Sequence, residues 1–147
     1  MRRLCIGIAV VVMGVLLMPG VADSAAKKRA VDITVKAAVV DSANGVNTVA
    51  GALSGKPFGS GAVVYKSRSS GSDIAATYKA FYAKGTLRGT SLLTPTPQPD
   101  GSISFNGKLQ VKGGTGRYRG AEGKDLKVTG TLANNLIRFH ITGSVRY

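Results

Sequence analysis

Few residues in this chain have side chains suited to chemistry. His140 is the single histidine and Cys5 the single cysteine. One imidazole with no second nitrogen or thiolate nearby cannot build a zinc site of the usual kind. No metal and no cofactor is therefore expected. His140 alternates with Arg138, Thr142 and Ser144, opposite Ile137, Phe139 and Ile141. That pattern puts it on a solvated strand face, and spacing offers no serine partner for nucleophilic catalysis. Glu122 is the only glutamate. Asp32 is the one carboxylate on an early strand and so the weak catalytic candidate, although it shares the polar face of Thr34 and Lys36. Tyr65, Tyr78 and Tyr82 are the ligand-binding candidates. Each joins an apolar ring to a polar tip, the combination that orients a small ligand in an apolar cavity.

The stretch Lys112–Gly123, KGGTGRYRGAEG, holds five glycines, two arginines and a tyrosine. Glycine at this density marks backbone conformations closed to other residues. A dinucleotide fingerprint needs G-x-G-x-x-G opening a helix. Here Arg119 fills the third glycine position and strand pattern follows. Arg117, Tyr118 and Arg119 are a miniature of the basic–aromatic pattern of nucleic-acid binders, but no RNP-type run accompanies them. No specific nucleic acid is expected.

These residues must be positioned by strands. Period-two alternation recurs after the first 26 residues, and no sustained 3.6-residue period appears. Val31, Ile33, Val35, Ala37 and Val39 share one face. Asn44-Gly45 predicts a hairpin into a strand over 47–53, and Gly55-Lys56-Pro57 turns into a third over 59–66. Ile74, Ala76, Tyr78, Ala80 and Tyr82 align in a fourth, followed by a fifth over 86–93. The run Thr94–Gly101 (TPTPQPDG) is expected outside any strand, because proline removes a backbone donor. Ile103, Phe105, Leu109 and Val111 face together in a sixth strand. The last two, 124–132 and 136–147, flank Asn134-Asn135. Eight short strands suit a sandwich or an antiparallel barrel. Closure into a barrel is the better expectation, because it removes exposed strand edges. Gly51, Gly107, Gly130 and Gly143 would supply its bends.

Gly113, Gly114, Thr115, Gly116, Tyr118, Ala121 and Gly123 resemble the G-G-T-G-x-[FY]-x-x-A-x-G signature of dirigent proteins and the related allene oxide cyclase-like barrels. Phe105-Asn106-Gly107-Lys108-Leu109 and the final strand pair are also similar to that superfamily. The resemblance implies an eight-stranded antiparallel barrel of calycin type with an apolar cavity, often trimeric. It implies a structural role for the motif: a short turn or 3₁₀ piece, with Tyr118 plugging the barrel. It does not bring the chemistry with it. The cyclases use a glutamate on an early strand, and no dirigent site position has a match here.

The N-terminal 26 residues read as a signal peptide: Arg2 and Arg3, an apolar run over 4–18, then small residues. The run is shorter than the ~20 residues of a membrane span. Cleavage is expected between Ala22 and Lys27, giving a secreted protein with a basic tail over 27–30 and a barrel over 31–147. The exported part lacks cysteine, so stability must come from core and sheet. The formal charge of +13 favours anionic partners such as cell-surface polymers. Three functions fit: a non-catalytic module binding a small apolar or aromatic ligand, a cofactor-free isomerase or cyclase, and a structural envelope protein. A homotrimer, if formed, would use the apolar face of the first strand.

Overall fold

The structure, a computed structural model, describes residues 26–147. The signal-peptide expectation lies outside them. The chain forms eight strands: β1 (Lys28–Ala43), β2 (Val46–Lys56), β3 (Gly61–Ser70), β4 (Asp73–Tyr82), β5 (Gly85–Pro97), β6 (Ile103–Gly114), β7 (Gly123–Ala133) and β8 (Leu136–Arg146). Each pairs antiparallel with its neighbours in sequence, and β8 pairs with β1, so the sheet is a closed barrel. Of the two all-β architectures expected, the barrel is the one formed. Closure leaves no edge strand for another chain to add to.

Alternation dictates what the barrel holds. Val31, Ile33, Val35 and Ala37 of β1 are buried, as are Phe105, Leu109 and Val111 of β6 and Ile137, Phe139 and Ile141 of β8. Their neighbours in sequence are exposed or half-buried. In a closed sheet one face must point inward, and a one-residue slip would invert every strand. The apolar face of β1 is therefore core, which corrects the expected contact face: a homotrimer, if formed, would use another surface. The turns follow from their residues: Asn44 and Gly45 have φ of 51° and 73°, and Asn134 and Asn135 have 49° and 60°. These left-handed pairs match the twist of the strands they join.

Several boundaries differ from expectation. Strand β3 runs on through Ser70, where a polar loop over 67–72 was expected, because residues 67–70 pair with 73–76 of β4. Lys28, Arg29 and Ala30 pair with Arg146, Val145 and Ser144, so the segment expected as a tail belongs to the β1–β8 ladder from Lys28 onward. Strand β5 also continues through Pro95 and Pro97, which pair with Phe105 and Ile103. The β4–β5 pairing ends at Leu93. Residues two apart direct their N–H groups to the same side. The donors these two prolines lack face the side where β4 has stopped, and the ladder to β6 is intact.

One end of the barrel is shut by four rings. Phe58 comes from the β2–β3 connection, Tyr82 from the end of β4, Tyr118 from the 3₁₀ turn Gly116–Tyr118, and Tyr147 from the C-terminus. Tyr118 is almost fully buried and meets Phe58 and Tyr147 edge-on, at centroid distances of 5.3 and 5.2 Å. Tyr82 tilts against Phe58 at 5.1 Å. Such contacts add about 0.5–1.5 kcal/mol each beyond the burial itself.

Candidate functional site

Eight strands enclose an interior just wide enough for side chains to fill, or for one small ligand. Here a layer of aromatics divides that interior. Tyr65 of β3 lies 5.9 Å from Tyr78 of β4 and 6.2 Å from Phe139 of β8, and Phe105 of β6 stacks edge-on against Phe139 at 5.7 Å. Between this layer and the four-ring plug remains a space of about 30 Å³. That is room for about one water molecule.

On the other side of the layer, toward the open end, lies a pocket of about 130 Å³. Its walls include Val49, Ile74, Leu93, Phe105, Ile137 and Phe139, with Asn47 and Ser67 at the rim. An engineered apolar cavity of about 150 Å³ in another protein takes benzene, so the scale here is one ring or a short chain. The polar group inside is Ser91 of β5. Its side chain is buried, and its hydroxyl has no hydrogen-bond partner among the described residues. A buried hydroxyl left unpaired costs about 1–3 kcal/mol, and it can both donate and accept. Ser91 stands in the inner phase of β5 with Leu87 and Leu93. A serine in step with two leucines is the signal by which the sequence marks it, although the sequence reading passed it over.

The three candidate tyrosines are brought together, but they do different things. Tyr65 borders both interior spaces. The Tyr78 hydroxyl donates to the Gln110 carbonyl at 3.3 Å, and its ring closes the smaller space. Tyr82 belongs to the plug. Burial in apolar surroundings pushes the Tyr65, Tyr78 and Tyr82 phenols well above their ordinary range. All three are therefore neutral in the folded protein at ordinary pH.

Asp32 stands outside the barrel, distant from Ser91 and the pocket. Its carboxylate meets His140 Nε2 at 2.8 Å on the outer wall of β1 and β8, and both side chains are more than half exposed. His140, expected to be simply solvated, thus has a carboxylate partner. No carboxylate among the described residues lines either interior space. Among the described residues, no group of three or more His, Cys, Asp or Glu side chains is placed to hold a metal ion. A wider trough of about 650 Å³ runs along the outer wall past Asp41, Lys66, Arg68 and Thr77. It is an open curve of the sheet, not an enclosed site.

The glycine segment packs, and it borders neither interior space except through the plug. Thr115 Oγ1 accepts from the Thr86 amide at 3.1 Å and shares a 2.8 Å hydrogen bond with the Thr86 hydroxyl. The Arg117 amide donates to the Lys84 carbonyl at 2.9 Å. Gly116 lets this turn lie against Lys84 of the β4–β5 connection, Gly114 lets the Thr86 and Tyr118 carbonyls approach, and Gly113 lies under the Arg88 side chain, while Ala121 and Gly123 are buried. At Gly116 the need for glycine is twofold: φ is +59°, and a Cβ would stand 2.5 Å from the Lys84 carbonyl oxygen. No protein-family model matches the chain, and neither the search of curated proteins nor that of solved structures returned a match.

Proposed function

We propose that this chain is a non-catalytic binding module. Its ligand is small and largely apolar, a single aromatic ring or short branched chain carrying one hydroxyl or carbonyl group. The observation that carries this reading is Ser91: an unpaired, buried hydroxyl facing a largely apolar pocket of about 130 Å³. A polar group in that state gains a partner when a ligand with one complementary group enters, and the surrounding apolar walls supply the burial. The pocket lies below the several hundred Å³ of a drug-sized site, which sets the size class of the ligand. The resemblance of the glycine segment to the allene oxide cyclase and dirigent group belongs to the same proposal, as do a calycin-type barrel and export by the N-terminal segment. The acid–base chemistry of those cyclases is not part of it, because Asp32 faces solvent.

The test is thermal unfolding with and without phenol, using benzene as the analogue that lacks the hydroxyl. Phenol is expected to raise the melting temperature of the native protein by a few degrees, and benzene by less. In Ser91→Leu the added side chain fills the pocket and both shifts disappear. Equal stabilisation of native protein and Ser91→Leu would overturn the assignment, as would no shift with millimolar phenol.

A further inference from the structure

The two ends of the barrel differ in charge. Around the closed end, the connections and the first and last strand residues carry Lys28, Lys56, Lys84, Arg117, Arg119 and Arg146, with Glu122 as the acidic residue among them. The open-end turns, at Asn44-Gly45, Gly71-Ser72, 98–102 and Asn134-Asn135, have no lysine or arginine. They carry Asp100, with Asp73 beside the second turn. The surface is thus polarised along the barrel axis and not uniformly basic.

Within the closed end, a notch of about 280 Å³ is lined by Lys28, Lys124, Arg146, Ser144, Gly123 and Glu122. Lys28 and Arg146 stand directly opposite each other in the β1–β8 ladder. Like charges in that position destabilise a sheet. The ion pairs formed among the described residues are Lys108–Asp125 and His140–Asp32, so no carboxylate lies within 4 Å of these three cations. Glu122 stands opposite Arg146 across an isolated bridge, beyond ion-pair distance, and leaves the notch with three cations against one carboxylate. That excess of positive charge, beside the Ser144 hydroxyl, fits a tetrahedral oxyanion. Such a group offers acceptors on several sides at once.

From this geometry we infer that the closed end docks onto a linear phosphate-bearing polymer. The notch takes one phosphate, and Lys56, Lys84, Arg117 and Arg119 follow the chain across the end. A lipid surface fits less well: of the exposed large apolar side chains, Val40 and Leu92 lie toward the open end, and Phe81, next to last in β4, stands alone at the closed end, where a lipid-facing surface would need several. Nucleic acid fits less well because Tyr118, the aromatic within the basic turn, is buried in the plug and cannot stack on a base. Docked this way, the barrel turns its open end, with the pocket rim, away from the polymer. The inference does not depend on the pocket having a ligand.

The test uses long-chain inorganic polyphosphate as the probe, with polyglutamate, phosphatidylglycerol vesicles and duplex DNA as comparators at equal charge concentration. Two triple variants remove the same net charge. One carries Lys28→Gln, Lys124→Gln and Arg146→Gln. The other, on the outer walls, carries Lys36→Gln, Lys66→Gln and Arg68→Gln. All six side chains are exposed, and circular dichroism verifies that both variants are folded. Polyphosphate binding is expected to weaken with added salt. The closed-end triple is expected to weaken it by about tenfold or more, and the wall triple by about twofold or less, at low salt. Equal losses in the two triples would overturn the directional site. Tighter binding of vesicles, duplex DNA or polyglutamate than of polyphosphate would overturn the choice of partner.

Discussion

Tyr118 and Tyr147 meet edge to face, with centroids 5.2 Å apart and ring planes at 84°. One ring comes from the glycine-rich turn and the other from the last residue of β8's exit, so their contact ties the β6–β7 connection to the closing ladder. Tyr147 also lies under the Arg29 guanidinium, 5.4 Å from its carbon, at the start of that ladder. The plug is thus where the start of β1, the exit of β8 and the glycine-rich turn meet.

Removing the Tyr118 ring should open the closed end. Tyr118→Ala is expected to cost about 3–5 kcal/mol of stability, the usual range for losing a buried aromatic. Tyr118→Phe keeps the ring and is expected to stay within about 1 kcal/mol of the native protein. Urea unfolding followed by circular dichroism measures both. Equal losses would mean that the hydroxyl, not the ring, holds the plug.

Gly116→Ala should destabilise through the backbone. Its φ of +59° and the Lys84 carbonyl 2.5 Å from a would-be Cβ both oppose a side chain. A cost of about 1–3 kcal/mol is expected. Gly120 has φ of +72° with nothing within 4 Å of a Cβ, so Gly120→Ala should cost about 1 kcal/mol, from conformation alone. Denaturant midpoints of the two variants give the comparison directly.

Much of this scaffold is legible in the sequence because it is local. The inner faces of β1, β4 and β6 follow from alternation, and the Asn44-Gly45 turn from its residue pair. What was not legible depends on partners far along the chain. Pro95 and Pro97 are tolerated in β5 only because β4 ends beside Leu93, a fact of register and not of composition. Lys28–Ala30 read as a tail because their partners, Ser144–Arg146, lie at the other end of the sequence. Likewise the His140–Asp32 contact spans 108 positions. Ser91 was visible as a polar break in the Leu87–Leu93 phase, but its lack of a hydrogen-bond partner is a property of the packed interior alone.

Ser91→Ala should separate the cost of the unpaired hydroxyl from its use. Without ligand, the variant is expected to be as stable as the native protein or up to about 1 kcal/mol more so, since an unsatisfied buried group is removed. Any preference for phenol over benzene should fall by about tenfold, the equivalent of one hydrogen bond of about 1.4 kcal/mol. Calorimetric titration of both ligands into both proteins checks this.

Alkaline pH should unfold the barrel through its tyrosines. Tyr65, Tyr78, Tyr82 and Tyr118 have phenols raised above the ordinary value near 10, chiefly by burial. A phenol in the unfolded chain ionises at about pH 10, whereas these remain protonated in the fold. The neutral form is the one the fold favours. Their contribution is therefore fully present below about pH 10 and declines as pH rises beyond it. Tyrosinate absorbance from these residues should appear together with the loss of β-sheet circular dichroism. Titration of all the tyrosines near pH 10 with the sheet intact would contradict the buried placement.

The most direct measurement is methyl-resolved NMR during titration with phenol. Ile74, Leu93 and Ile137 line the open-half pocket, while Ile33, Leu126 and Ile141 line the smaller space beyond the tyrosine layer. The account predicts saturable shifts in the first three, with the second three unmoved and no response in Ser91→Leu. Unmoved methyls throughout the barrel, or shifts unaffected by filling the pocket, would contradict it.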